Sequence, residues 1–264
     1  MAARIIHIDE RESPRRGEWL ASLDALPAAQ TDALKREGAS VVYAAQVARR
    51  DVVIKRRSLT LWERLRAPFG SGRGIDQWRG TRLLHGVTST ARVLALARIA
   101  ADELLVLERV PGPTLLEVLA GLAHVAPQRS HTLATDIGLQ VGLIASAQLR
   151  NRDHKPSNII IADNGPTVID AVGVRRGTGN TQDIHAAAAQ MLTSLMLEAI
   201  GCRCTPRRTL RMRALLGAWS ALNTAGSDRT ARRAWLRGMS AAVESRIEAH
   251  GDPTPKVNPL ARPG

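Results

Sequence analysis

Residues 151–170 read Asn-Arg-Asp-His-Lys-Pro-Ser-Asn-Ile-Ile-Ile, a short polar turn, then Thr-Val-Ile-Asp. A carboxylate (Asp153), an ammonium (Lys155), an amide (Asn158) and a second carboxylate (Asp170) thus fall on one loop and two short strands. That set suits transfer of a phosphoryl group from Mg-ATP. Asp153 would orient or deprotonate an accepting hydroxyl, Asn158 and Asp170 would hold magnesium, and Lys155 would offset charge on the moving group. The spacing is the specific part: Asn five residues after the first Asp, then Asp twelve further on, behind an apolar strand. A turn aspartate and a strand-end aspartate would explain either acid alone, but not their joint spacing with Asn158.

The elements that must position these groups change character along the chain. Residues 1–30 are polar with weak periodicity and read as an N-terminal extension. From Ala39, two β-branched runs joined at Arg49-Arg50-Asp51 predict a hairpin ending in Val-Val-Ile-Lys at 52–55. Residues 58–68 and 75–85 read as helices, broken by Pro68 and the glycines from Gly70 to Gly74. Val93–Arg98 and Leu104–Val110 read as strands. Pro111-Gly112-Pro113 is the clearest break. Beyond it, helices are expected at 114–122, 131–149, 182–200, 210–222 and 230–247, interrupted by the loop and strands above. The division is therefore a strand-rich part (31–110), a helical part (111–251) and a proline-rich tail (252–264) expected to be disordered. No internal repeat is present.

A hydrophobic fraction of 44% is enough for a packed core, which 3% aromatics force to be built from Leu, Ile, Val and Ala. The two cysteines, Cys202 and Cys204, are too few for a disulfide scaffold and poorly spaced to bridge each other. No apolar run approaches the roughly 18 residues of a membrane span, and the start lacks the pattern of a signal peptide. A cytoplasmic protein is the expectation. The net charge of +13, with dense basic patches at 49–57, 64–79 and 203–213, fits either general arginine abundance or an anionic partner. Nucleic acid is disfavoured among such partners, because few aromatics are available for base stacking.

The element order together with Asn-Arg-Asp-His-Lys-Pro-Ser-Asn resembles the protein-kinase-like superfamily. Within it the chain resembles the lipopolysaccharide kinase (Kdo/WaaP) family, on Val-Val-Ile-Lys (52–55), Phe-Gly-Ser-Gly-Arg-Gly-Ile-Asp-Gln-Trp (69–78), Leu-Leu-His-Gly-Val-Thr-Ser-Thr-Ala (83–91), Leu-Leu-Val-Leu-Glu-Arg-Val-Pro-Gly (104–112) and Val-Ile-Asp-Ala-Val-Gly-Val-Arg (168–175). The resemblance implies an α+β, bilobal protein-kinase-like fold: a small strand-rich N-lobe and a larger helical C-lobe without an extended activation segment. It implies ATP and Mg2+ as cofactors. Lys55 becomes the strand lysine that binds the α- and β-phosphates, Gly38 the nucleotide-covering loop, and Glu108 part of the hinge that meets the nucleotide. Asp153 and Lys155 become catalytic, and Asn158 and Asp170 the metal ligands.

Four departures qualify the match. Where the glutamate partner of Lys55 is expected, the chain has Asp76-Gln77: either a carboxylate one methylene short or a neutral amide. Gly38 stands alone where several glycines would free backbone amides for phosphate. Asn151 replaces the usual catalytic-loop His, and Ala171 the usual Phe after the metal-binding Asp. The missing segment bears on substrate. Only twelve residues, 171–182, separate Asp170 from Asp183, with no Ala-Pro-Glu anchor for a peptide platform. Asp183 reads as a helical acid bracing the catalytic loop. The expected function is an ATP-dependent kinase acting on a sugar hydroxyl of a lipopolysaccharide-like glycolipid. An anionic sugar or glycolipid is then the substrate partner, and peripheral contact with the anionic inner face of a membrane stays open. The alternatives are a nucleotide-binding pseudokinase or scaffold, and an aminoglycoside- or choline-type small-molecule kinase.

Overall fold

The computed structural model describes residues 2–26, 33–66, 72–222 and 228–260. Two compact units emerge. The first runs to Thr81 and adds Ala91–Val110; the second comprises Arg82–Thr90 and Pro111–Leu260.

Unit 1 is built on a six-stranded antiparallel sheet. Its strands are β1 (Arg4–Ile8), β2 (Ala33–Glu37), β3 (Ser40–Val47), β4 (Arg50–Ser58), β5 (Val93–Ile99) and β6 (Asp102–Glu108). They lie in the order β1-β5-β6-β4-β3-β2. Residues 1–30, read above as an extension, in fact supply the edge strand β1 and the helix α1 (Arg16–Asp24). The period of two sorts the side chains onto the two faces. Leu104 and Val106 of β6 pack with Trp19 and Leu23 of α1, whereas Leu105 and Leu107 face Ile75 and Trp78 of α3 (Arg73–Leu84). A short helix, α2 (Leu61–Arg66), follows β4; of the helix expected over 58–68, the last two positions lie outside the described residues, as do Gly70 and Ser71.

The β3–β4 turn falls at Ala48-Arg49, one residue earlier than expected. Both residues have positive φ (48° and 62°), the geometry of a two-residue hairpin that normally selects Asn or Gly. Contacts from the α1 region hold it. Arg15 Nη2 donates to the Ala48 carbonyl (2.6 Å), and Ala48 N donates to Ser22 Oγ (3.2 Å).

Unit 2 carries α4 (Leu115–Leu119), α5 (Pro127–Ser146), α6 (Thr181–Gly201), α7 (Arg208–Leu222) and α8 (Arg229–His250). Two small ribbons also belong to it: β7 (Leu149–Asn151) with β10 (Val174–Arg176), and β8 (Ile159–Ala162) with β9 (Gly165–Val168). A reciprocal Thr114–Glu117 capping box starts α4 directly after the Pro-Gly-Pro break. Gly112 (φ +126°) packs on the Ile161 carbonyl with no room for a Cβ. With so few aromatics, the helices close their gaps through glycine: Gly138 and Gly142 of α5 and Gly217 of α7 lie backbone-to-backbone against the opposite helix. Of the tail expected to be disordered, residues 252–260 are described, and the Pro253 backbone packs on Gly201 at the end of α6. The strand-rich unit, the helical unit and the short path from β10 to α6 are those of a protein-kinase-like α+β fold.

Candidate active site

Asp153, Lys155, Asn158 and Asp170 are brought together within unit 2, on the segment between β7 and β8 and the chain leaving β9. Pairing of β7 with β10 sets the frame, with Asn151 opposite Val174 and Arg152 N donating to the Gly173 carbonyl (3.3 Å). A 3-10 turn over Pro156–Asn158 then reverses the chain, and Asn158 N donates to the Lys155 carbonyl (2.9 Å). The turn aims the Asn158 amide back at the loop. Its Nδ2 donates to both the Asp153 carbonyl (3.0 Å) and Asp153 Oδ2 (3.2 Å). Lys155 Nζ lies 3.2 Å from Asp153 Oδ1. Both oxygens of Asp153 are therefore engaged by donors, each keeping a further lone pair for a substrate proton.

Asp170 is tied to the same place through the backbone: Ile169 N donates to the Asn158 carbonyl (2.9 Å), and Val172 N to Asp170 Oδ1 (3.2 Å). Burial works against the charge on Lys155, but the carboxylates of Asp153, Glu198 and Asp170 outweigh it and raise its pKa above the ordinary lysine range. Lys155 stays a cation at any working pH.

Two features of this loop were not read from sequence. Glu198 of α6 accepts from Ser157 N and Ser157 Oγ, both at 2.7 Å, and Ser194 Oγ, one helical turn earlier, donates to the Arg152 carbonyl (3.1 Å). The loop is thus braced from α6 by Ser194 and Glu198. Asp183, expected in that role, instead meets Thr178 and accepts nothing from the loop; its own N–H is capped by Asn180 Oδ1 (2.7 Å). A detectable signal was there, since Ser194 and Glu198 are the polar residues, at i and i+4, of an otherwise apolar last stretch of the helix (194–201), sharing one face. Glu198→Ala is expected to cost about 1.5–3 kcal/mol, the range for hydrogen bonds to a charged group, read as a lower urea midpoint at unchanged m-value.

Asn151, in place of the usual His, is fully buried, and its Oδ1 accepts from Asp153 N (3.1 Å). That bond fixes the bend of the loop at Asp153. Gly173 explains why glycine follows one place late: a Cβ there would lie 2.9 Å from both Asn151 Oδ1 and Asp153 N. Gly173→Ala is therefore expected to displace the Asn151–Asp153 bend and destabilise unit 2 by about 1–3 kcal/mol, measured by thermal unfolding.

Unit 1 brings Gln77 against Lys55. Ile54 faces α1, so Lys55 shares the α3 face with Val53. On α3, Gly74, Gln77, Trp78 and Thr81 recur at helical spacing toward the sheet, and Gln77 is 1% exposed. Lys55 Nζ donates to Gln77 Oε1 at 3.4 Å, so a neutral amide accepts from the ammonium. The helix is seated by Glu103, buried on β6, which accepts from Gly74 N (3.0 Å). Gly38 (φ +55°) occupies the exposed β2–β3 turn. Glu108 ends β6 with its carboxylate 3.2 Å from Arg92 Nε.

The residues present fit a magnesium–nucleotide complex. The nitrogen end of Asn158 is committed to Asp153, so its oxygen is the end that can ligate, beside Asp170. Among the described residues no cluster of three or more His, Cys, Asp or Glu could cage a metal alone. Magnesium commonly takes only one or two protein ligands, with phosphate oxygens and water completing the octahedron. Cys202 and Cys204 are unbridged, and burial raises both thiols, which leaves them poor nucleophiles.

No family model matches the chain. Over 93 residues, 35% of its length, it is 36% identical to the serine/threonine-protein kinase AfsK of Streptomyces griseus and 34% identical to AfsK of Streptomyces coelicolor. The chain covers only 11% and 12% of those relatives. This partial similarity, with the fold and the loop geometry, supports a protein-kinase-like superfamily as the chain's setting.

Proposed function

We propose that the chain is an ATP- and magnesium-dependent phosphotransferase whose acceptor is a sugar hydroxyl on an anionic, lipopolysaccharide-like glycolipid. The observation that carries the phosphotransfer reading is the Asp153 carboxylate held between Lys155 and Asn158, with Asp170 tied to Asn158 through the backbone. Bound Mg-ATP supplies the γ-phosphoryl group and neutralises its charge. Asp153 accepts the proton of the attacking hydroxyl and orients that oxygen. Lys155, kept cationic by its acidic neighbours, stabilises negative charge that grows on transfer. Asn158 and Asp170 hold the cation, and Lys55 binds the α- and β-phosphates.

What supports a small or glycan acceptor is the chain between Asp170 and α6, which holds only β10 and a short link and offers no extended segment to support a peptide. The basic composition suits an anionic acceptor and contact with an anionic membrane surface. No helix among the described residues is long and apolar enough to cross a membrane. A second reading, nucleotide binding without turnover, is favoured by the Gln77 amide that accepts from Lys55 where the usual glutamate is expected.

Thermal stabilisation by ATP with and without magnesium tests the nucleotide site in the wild type, Lys55→Ala and Asp170→Ala. Stabilisation that needs magnesium and disappears in both variants is the expected result. Labelled phosphate transfer to lipid-sugar extracts, free sugars and peptides then distinguishes the acceptors, with Asp153→Ala as control. Transfer to peptides alone would overturn the glycan assignment and align the chain with the protein-kinase activity named for AfsK. Binding with no transfer to any class would leave the second reading.

A further inference from the structure

Unit 2 contains a concavity of about 680 Å3 whose lining does not include Asp153, Lys155, Asn158 or Asp170. That volume lies within the range of small-molecule pockets. Its walls are aliphatic: Leu115 of α4, Leu133 and Ile137 of α5, Leu195 of α6 and Val243 of α8. Across its mouth stand Arg207, Arg208 and Arg211, all exposed and none with an ion-pair partner among the described residues. One carboxylate, Glu244, also lines it and accepts from Ser240 Oγ (3.3 Å), so the mouth remains net positive.

The composition of the lining selects the occupant. No Phe, Tyr or Trp lines the cavity, and its planar groups are the exposed His131 and arginines, so a planar ring finds no stacking surface among the aliphatic walls. Its polar side chains, Ser130, His131, Thr205, Thr209 and Ser240 beside the arginines and Glu244, are outnumbered by aliphatic ones. A peptide would leave backbone N–H and C=O groups without partners along the aliphatic part, which is costly. A flexible saturated chain has no such groups and fills an irregular aliphatic space. Its polar end must stop at the three guanidiniums, and guanidinium geometry favours a carboxylate or a phosphate.

We propose that this cavity binds a single-chain anionic amphiphile: a long acyl or alkyl chain between the helices, with its carboxylate or phosphate head at Arg207, Arg208 and Arg211. The site stands apart from phosphotransfer and does not depend on it. Its wall does include Pro156, the residue between Lys155 and Ser157. The chain of the ligand thus lies against the underside of the catalytic loop.

The experiment is displacement of a fluorescent fatty acid from the full chain, kept below micellar concentrations. Competitors are fatty acids and alkyl phosphates of eight to sixteen carbons, with alkyl alcohols and alkyltrimethylammonium ions of matched length. Affinity is expected to rise about tenfold for each two methylenes added and to fall at least about tenfold when the head is neutral or cationic. The carboxylate and phosphate series separate a free fatty acid from a lipid phosphate as the preferred head. Arg207→Glu with Arg211→Glu should weaken binding about tenfold or more, whereas Arg232→Glu with Arg233→Glu, outside the cavity, should leave it unchanged. Ala134→Trp should fill the space and abolish binding. Should that variant not fold, a photoreactive fatty acid on the wild type decides: labelling is expected within α5, α6 or the start of α7. Affinity independent of chain length, equal binding of cationic amphiphiles, or labelling elsewhere would overturn the proposal.

Discussion

Asp153→Ala is expected to lower the turnover number for phosphate transfer by about 10^2–10^4-fold while leaving magnesium-dependent ATP stabilisation nearly intact. The carboxylate is 45% exposed, so its removal should change folding stability little. Asp153→Asn serves as the sharper comparison. An amide of the same size cannot take a proton and sets an NH2 against Lys155 Nζ or Asn158 Nδ2, so its turnover should fall at least as far as that of the alanine variant. Asp170→Ala should behave differently, losing both the magnesium-dependent stabilisation and the transfer, because it removes a ligand to the cation. Single-turnover transfer and thermal shift on the same three variants make the separation. If Asp153→Asn retained wild-type turnover, its role as proton acceptor would be wrong, whatever Asp170 did.

The second large effect concerns acid. His154 sits in the catalytic loop, wholly buried, and neither ring nitrogen finds a partner among the described residues. Burial lowers its pKa to about 4. An unfolded chain takes up that proton near the ordinary value of about 6.5, so between these values the unfolded state binds more protons than the native state. Stability then falls as pH falls through the window, and above pH 7 the residue contributes no slope. The expected loss from this group is about 2 kcal/mol at pH 5 and about 3 kcal/mol at pH 4. His154→Leu should remove the slope between pH 7 and 5 and be near-neutral at pH 7, since it deletes two buried polar atoms that lack partners. Urea unfolding of both proteins at pH 7 and pH 5 checks this. Asp102 titrates separately. Burial opposes its charge, but Ser58 and Arg56 outweigh that and hold its pKa below the usual value, so its contribution disappears only below about pH 4.

How far the sequence could be read depended on whether a signal was local. Asp153, Lys155, Asn158 and Asp170 were legible because their spacing is itself the geometry: a turn, a short strand and a return bring positions 153, 158 and 170 together. The α+β division and the hairpin leading to Lys55 were legible from alternation, and the Pro-Gly-Pro break from its residues. The partner of Lys55 was not. That Gln77 reaches Lys55 depends on the rotation of α3 against the sheet, which Glu103 and the glycine at position 74 determine from β6. The brace from Ser194 and Glu198 was missed for the same reason. Their helix shows two polar residues on one face, but only tertiary placement says what that face meets. The five residues of β1 were too few to display alternation, and their pairing with β5 is long-range.

That edge strand has a practical consequence for anyone producing shortened forms of the protein. β5 is buried along most of its length, and β1 covers its outer hydrogen-bonding edge from Arg4↔Arg98 to Ile8↔Ala95. Trimming the first thirty residues would uncover a flat row of unpaired amides and carbonyls flanked by Leu94, Leu96 and Ala97, and would strip Trp19 from the face behind it. Such an edge recruits another copy of itself. Shortened proteins should therefore come out of cells as insoluble oligomers, whereas versions that keep residues from Ala3 onward should stay dispersed.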